Sequence, residues 1–564
     1  MEETAKLSIA NARPSLEMSS KRRWAVTVGV MTGMFIAALE ATVVGTAMPT
    51  VIASLGGLNH YSWVFSAYLV TSTVTVPVWG KLSDLYGRRL LYQIGIGIFL
   101  LGTLLSGFSD SMTQLITFRA IQGLGAGALI PLGMTIIGDI FTLEERAKMQ
   151  AYFSGVWGIS SVIGPVIGGF LTDQLSWRWV FFINLPIGVV AALIMGFALK
   201  EPKVHARPKI DYAGAGLLML AISLLMLAMV EGGGNVEALF AANNLLIFGA
   251  AVVLLLLFAL VEKRAADPII PFELFRNRMV SVSVAAGFLA GVAMFGAISF
   301  IPLFAQGALG ATATEAGSLL TPLMLSWISM SIVGGRILLK TGFRSITIIG
   351  FIILTVGFVC LALFERDTPR VWLYVDLVLI GMGLGLTMLT LLIAVQQAVE
   401  RTKLGVATSL NQFSRAIGGA FGVAVMGAVL TAGLAGELNK AAQNGSRFLS
   451  PAQAAEYAAN PNALIDPQAK ARLPKETLDV LQSAMAASIN RVFWVAAILS
   501  GMALLVSLLL PKQEKDKIHR TDGDAGEKTL MAQQTTINAR NQPSASEKYD
   551  QQLTTNHRTE IRKE

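Results

Sequence analysis

Cysteine is almost missing: Cys360 is the only one in 564 residues, so no disulfide can close within the chain. Histidine is scarce too, at four, and with a single thiol it leaves little from which to build a metal centre. Charge is thin. Asp, Glu, Lys and Arg together make 14% of the chain, against roughly 25% in soluble proteins. No G-x-x-x-x-G-K-[S/T] loop occurs, which disfavours an ATP-driven machine. No hydrolytic constellation stands out, so the expected class is not an enzyme and no cofactor is called for. Met1–Ser20 is polar and lacks the apolar core and small-residue cleavage site of a secretory signal.

What fills the chain instead is apolar. Hydrophobic residues make up 54% and mean hydropathy is +0.60, a membrane composition. Crossing the hydrocarbon layer takes roughly 20 apolar residues, and by that length criterion about fourteen runs qualify. They are Trp24–Val44, Tyr61–Trp79, Leu90–Phe108, Thr113–Ile140, Met149–Leu171, Trp177–Leu199, Tyr212–Val230, Leu245–Val261, Val280–Phe304, Gly317–Leu339, Ser345–Phe364, Val371–Val395, Gly405–Leu434 and Ile489–Leu510. A lipid-facing backbone must satisfy its own hydrogen bonds, so every run is expected to be a helix and the fold an all-α polytopic membrane protein.

The net charge of +8 is topological. Alternate short loops hold Lys21-Arg22-Arg23, Lys81 with Arg88 and Arg89, Lys200 to Lys209, Lys263 to Arg278, and Arg401 with Lys403. The intervening loops, such as Asn59-His60 and Ser109-Asp110, are nearly bare. This is the positive-inside pattern, which places both termini in the cytoplasm and leaves no nucleic-acid role. The tail from Gln513 to Glu564 is polar and poor in aromatics, a composition that does not fold.

One stretch carries more information than any other. Gly80-Lys-Leu-Ser-Asp84-Leu-Tyr-Gly87-Arg88-Arg89 forms a short basic loop between two apolar runs. A weaker copy, Gly335-Arg336-Ile-Leu-Leu-Lys340-Thr-Gly342-Phe-Arg344, recurs in the second half. Gly123-Leu-Gly125-Ala-Gly127 is likewise echoed at nearly the same offset by Gly381-Met-Gly383-Leu-Gly385. Two echoes in register indicate two related halves, the usual build of a secondary transporter. The expected division is a segment 1–23, a six-helix half 24–200, two inserted helices 210–262, a second six-helix half 279–510 with an extracellular loop 435–488, and a tail 511–564.

The first loop resembles the signature of the major facilitator superfamily, G-x-L-a-D-r-x-G-R-r. Other elements are similar to the fourteen-helix drug:proton antiporters within it. Leu39-Glu40-Ala-Thr42-Val-Val-Gly-Thr-Ala-Met48-Pro49 matches an element that usually carries aspartate where Glu40 stands. Leu115-Ile116-Thr-Phe-Arg119-Ala-Ile-Gln122-Gly123 matches R-x-x-Q-G. Gly158-Ile-Ser-Ser-Val-Ile-Gly164-Pro165-Val-Ile-Gly168-Gly169 matches the antiporter element g-x-x-x-G-P-x-x-G-G. Ser176-Trp177-Arg178-Trp179-Val-Phe181-Phe182-Ile-Asn184-Leu-Pro186, Asp267-Pro268-Ile-Ile-Pro271 and Gly405-Val-Ala-Thr-Ser…Phe413-Ser-Arg415-Ala-Ile-Gly418-Gly419 resemble further subfamily hallmarks.

Physical reasoning gives these residues roles. An ionisable group at membrane depth is costly and marks function. By helical rise Glu40 lies about 24 Å from the inner end of its run, and Arg119 about 9 Å from the outer end of its own, which is a comparable depth. Arg119 cannot discharge, so it is expected to pair with Glu40 and set its proton affinity. In the Gly80–Arg89 loop the arginines are expected in cytoplasmic water, with Asp84 facing the end of a neighbouring helix. The resemblance implies that Asp84 latches the halves, asymmetrically because Leu339 replaces it in the second copy. Gly158, Gly164, Pro165 and Gly168 are expected to bend and pivot their helix.

Asp376 lies about 8 Å into its span and is open to three readings: a cationic substrate, a second proton, or a pair with Arg370. Tyr68, Trp157, Gln306 and Trp327 are cavity candidates for an aromatic or cationic compound. The implied function is export of amphipathic, cationic compounds across the cytoplasmic membrane in exchange for protons. Its expected partners are the substrate, protons and membrane lipids, with a periplasmic adaptor open. The alternatives are a dedicated exporter of one metabolite or lipid, or the membrane subunit of an envelope assembly.

Overall fold

A computed structural model describes residues 18–55, 61–201, 211–232, 240–265, 267–311, 313–366, 368–443, 449–459 and 473–512. The expected disordered tail and the whole segment before Met18 lie outside them. The helices are α1 Ser20–Leu55, α2 Tyr61–Val74, α3 Val76–Tyr86, α4 Arg88–Gly107, α5 Met112–Ile140, α6 Leu143–Gln174, α7 Trp179–Phe182, α8 Asn184–Ala198, α9 Tyr212–Gly232 and α10 Ala242–Glu262. They continue with α11 Arg278–Gly307, α12 Ala313–Ser318, α13 Leu320–Thr341, α14 Phe343–Ala362, α15 Arg370–Gln397, α16 Leu404–Gln443, α17 Pro451–Ala459 and α18 Lys475–Ser507.

Each of the expected apolar runs falls on this helical framework, but among the described residues twelve helices are long and apolar enough to cross a membrane. Two expected runs fall outside that set. Tyr61–Trp79 is divided at Thr75 into α2 and α3, with Pro77 in the first turn of α3, where its missing N–H is tolerated. The other, Met149–Leu171, lies on α6, several of whose residues fall outside the described ones, and whose first turn carries Glu144, Glu145 and Arg146. That turn is fixed by a capping box between Thr142 and Glu145, which satisfies two otherwise orphan amides.

Helix pairing shows the internal repeat directly. In the first half of the chain α1 packs on α6 and α8, α5 on α2 and α4, and α4 on α8. In the second half α11 packs on α16 and α18, α15 on α13 and α14, and α14 on α18. The glycine echoes occupy matching places. A Cβ on Gly123 would meet Thr71 and Tyr68 of α2, and one on Gly381 would meet Ser326 and Leu323 of α13. Gly125 lies against Phe99 of α4, and Gly383 against Leu354 of α14, both at backbone distance. Small residues are what allow such approach.

The two sets meet where α3 packs on α16 and α6 on α13. Helices α9 and α10 pack on each other, and α9 also touches α2 and α16. Within the expected 435–488 loop, most of the described residues are helical. α16 runs on to Gln443, α17 follows, and α18 starts at Lys475, because a helix does not stop where its apolar content stops. Leu438, Leu449, Ala454, Leu481 and Met485 from this region join the buried core of the second set. Arg366 donates to Asp479 at 2.8 Å and to Gln482 at 2.7 Å, which holds that layer in place.

Candidate functional site

Glu40 lies midway along α1 and is 0% exposed. A carboxylate there needs partners from other helices, and it finds two. Arg119 of α5 pairs with Oε1, and Asn184 of α8 donates Nδ2 to Oε2 at 2.6 Å. The guanidinium is supported in turn. It donates to Gln122 Oε1 at 2.7 Å and to the Val64 carbonyl at 3.3 Å, and it lies 4.3 Å from the centre of the Tyr68 ring. Gln122 then donates to Thr103 of α4 at 2.8 Å. One buried network therefore joins α1, α2, α4, α5 and α8.

The sequence-derived pairing of Glu40 with Arg119 is present. Tyr68, expected in a substrate cavity, is half-buried, with one face of its ring against Arg119. Asn184, Gln122 and Thr103 went unassigned in sequence. Asn184 sits in the Trp177–Pro186 element, where the flanking tryptophans read as an interfacial belt. Its Oδ1 is buried without a hydrogen-bond partner, so the amide holds an unused acceptor beside the carboxyl group. Two residues beyond Glu40, Thr42 donates to the Ser160 carbonyl at 3.1 Å, and a Cβ on Gly164 would stand 2.0 Å from Thr42 Oγ1. Gly164 is thus where α6 closes on α1 beside the network. Gly168 is buried, and Gly158 faces Ile328 of α13. α6 stays helical through position 165, and the Pro165 side chain lies outside the described residues.

A second polar cluster lies at the end bearing the basic loops. The expected loop Gly80–Arg89 is helix apart from Gly87, whose φ of 99° turns the chain between α3 and α4. Gly342 repeats this with φ of 81° between α13 and α14. A left-handed φ of this size is what glycine alone adopts easily. Asp84 accepts the amides of Gly405 at 3.1 Å and Val406 at 2.8 Å, the first turn of α16, where a negative charge is favoured. Gly80 and Gly405 let the two helices touch: a Cβ on Gly80 would lie 2.8 Å from the Gly405 carbonyl.

Arg88 corrects the sequence reading that put both arginines in water. It is 1% exposed, because Asp84 and Asp139, the latter at 3.0 Å, flank its guanidinium, and Ser83 accepts from it at 2.8 Å. Arg89 is exposed as expected. The Glu201 carboxylate accepts the amides of Arg88 and Arg89, each at 3.0 Å. Lys81 pairs with Asp267, tying the strap after α10 to the same place. A cavity of about 780 Å³ lined by Lys81, Asp84, Asp267, Arg276 and Lys403 opens beside this cluster.

The remaining candidates are dispersed. Asp376 is 3% exposed on α15, and neither carboxylate oxygen has a hydrogen-bond partner. It does not pair with Arg370, whose guanidinium instead lies 3.8 Å from Glu315, because Arg370 sits exposed at the helix start while Asp376 points inward. Trp327 packs on the core of the second helix set, Trp157 is 37% exposed, and Gln306 is half-buried near the end of α11.

The Major Facilitator Superfamily profile matches residues 30–423. The chain is 36% identical over 541 residues to the multidrug transporter protein MdtP of Bacillus subtilis, covering 92% of this chain and 98% of that one. It is 36% identical over 487 residues to multidrug resistance protein 3 of the same organism, covering 86% and 95%. Among solved structures, the human organic anion transporter MFSD10 superposes with a TM-score of 0.55 at 15% identity, over 86% of this chain and all of that one. The proton:xylose symporter XylE gives 0.55 at 11% identity, over 88% and 98%. At those identities the likeness speaks for the fold.

Replacing Asn184 by leucine keeps the bulk and removes the donor to Glu40 Oε2. The expected loss is about 1–3 kcal/mol, the range for a buried acceptor left without its partner. Thermal melting in detergent checks this, and an unchanged melting temperature would show that the 2.6 Å contact carries no weight.

Proposed function

Because the chain belongs to the major facilitator superfamily, we propose that it exports amphipathic compounds, cationic drugs among them, in exchange for protons by alternating access. The single observation that carries this reading is a carboxyl group at membrane depth, buried against a cation that cannot discharge. Relatives named as multidrug transporters, similar over nearly the whole chain, support the substrate class. The repeated helix pairings are read as two six-helix halves with α9 and α10 as inserted helices. The basic loops are read as cytoplasmic, in a multi-pass protein of the plasma membrane.

In the proposed cycle the charged Glu40 holds α1, α5 and α8 together. A proton on Glu40 cancels the attraction to Arg119, which keeps Gln122, the Val64 carbonyl and the Tyr68 ring as partners. The Asn184 amide can then turn its unused oxygen toward the new hydroxyl. The carboxyl group thereby exchanges a proton without leaving Arg119 bare. At the other end, Asp84 on the amides of α16 holds one half to the other. Opening toward the cytoplasm requires those two bonds and the Gly80–Gly405 contact to part. Asp376, buried without a partner, is read as a second proton site in the other half.

The test is transport in proteoliposomes with an imposed pH gradient, following ethidium and luminal pH together. Wild type is expected to move dye against proton flux, and Glu40→Gln to remain folded with coupled export reduced at least about a hundredfold, the scale of losing a proton-transfer group. Full activity in Glu40→Gln would remove Glu40 from coupling. Asp84→Asn weakens the latch without touching the substrate, so turnover should fall more than affinity. A pure rise in KM with kcat unchanged would contradict that reading.

A further inference from the structure

Arg415 plays no part in the network or the latch, yet it is a permanent cation deep in the bundle. It lies about 16 Å along α16 from Leu404, roughly half the thickness of the hydrocarbon layer. It is half-buried, and among the described residues no carboxylate pairs with it. Its hydrogen-bond acceptor is the Met388 sulfur on α15 at 3.6 Å. One turn nearer the helix start, Gln412 has the same kind of partner: Nε2 points at the Met134 sulfur of α5 at 3.0 Å, and Oε1 is buried with none.

Thioether sulfur is a weak acceptor, so two strong polar groups on one face of α16 are held by poor partners. That face looks across the contact between the two helix sets, since α5 belongs to the first and α15 to the second. A cation at membrane depth is expensive unless it is paired, and a guanidinium is matched best by a carboxylate. Methionine on either side offers a soft, adaptable apolar wall.

We propose that Arg415 and Gln412 form an anion-recognising subsite, which extends the exported class to amphiphiles bearing a carboxylate. The acid group docks on Arg415, a neighbouring N–H or O–H on Gln412 Oε1, and the apolar body on Met134 and Met388. This rests on the export reading for its transport role, but the binding itself can be measured without transport.

The experiment compares dansylated undecanoic acid with its uncharged methyl ester, bound to the purified full chain and read by dansyl fluorescence. Wild type should prefer the acid by about tenfold or more, the size of one charge-assisted hydrogen bond. In Arg415→Met that preference should collapse to about one, and in Arg415→Lys a part of it should remain, because lysine keeps the charge but not the fork. A wild-type preference near one overturns the subsite whether or not the variants fold, and so does an undiminished preference in Arg415→Met. If the acid preference holds while wild type moves no ethidium in proteoliposomes, the multidrug reading falls and the anion subsite stands.

Discussion

The buried pair of Glu40 and Arg119 is the constraint around which the five helices α1, α2, α4, α5 and α8 are organised. Two ions removed from water repay their desolvation only when their other hydrogen-bonding positions are filled. Here those positions are filled by groups from several helices: Asn184 on one carboxylate oxygen, Gln122 and the Val64 carbonyl on the guanidinium, and the Tyr68 ring against its face. Removing one partner from such a pair costs about 3–5 kcal/mol. The arginine cannot titrate, so the glutamate is the member whose charge can change. On the proposed account that asymmetry lets a proton act on the packing of five helices.

The second helix set repeats the packing of the first without repeating its polar chemistry. Gly381, Gly383 and Gly385 sit against α13 and α14 as Gly123, Gly125 and Gly127 sit against α2 and α4. Gly342 turns the chain as Gly87 does. Close contacts of this kind depend on backbone and small residues, so they survive divergence together. Polar groups are free to differ: Asp376 stands near the place of Arg119 in the repeat, and Leu339 takes the place of Asp84. On the proposed account the latch therefore lies on α3 and the first turn of α16. The pair and the latch share continuous helices, since α5 carries both Arg119 and Asp139, the partner of Arg88. That gives a rigid path between the two ends of the bundle.

Much of this was legible in the sequence, for physical reasons that differ by element. Apolar runs report the membrane, so their order came through, while their ends did not: α16 outlasts its apolar stretch by a turn or more, and the run Tyr61–Trp79 is broken at Thr75 into two helices. Glu40 and Arg119 were legible because charge at that depth has few explanations. Asn184 was not, since an asparagine flanked by tryptophans fits an interface equally well and only the fold sets it against Glu40. The burial of Arg88 was hidden for a similar reason. Basic residues beside a turn ordinarily face water, and the acid that draws this one inward, Asp139, lies far along the chain.

The measurement that tests the central claim most directly is proton release on substrate binding. Purified protein in weakly buffered detergent solution, with a pH indicator present, would be titrated with ethidium. If Glu40 exchanges its proton against substrate, wild type releases protons as ethidium binds, and Glu40→Gln binds the dye with that release lost. Equal release from both proteins would contradict the account, and would move the coupling proton away from the Glu40–Arg119 pair.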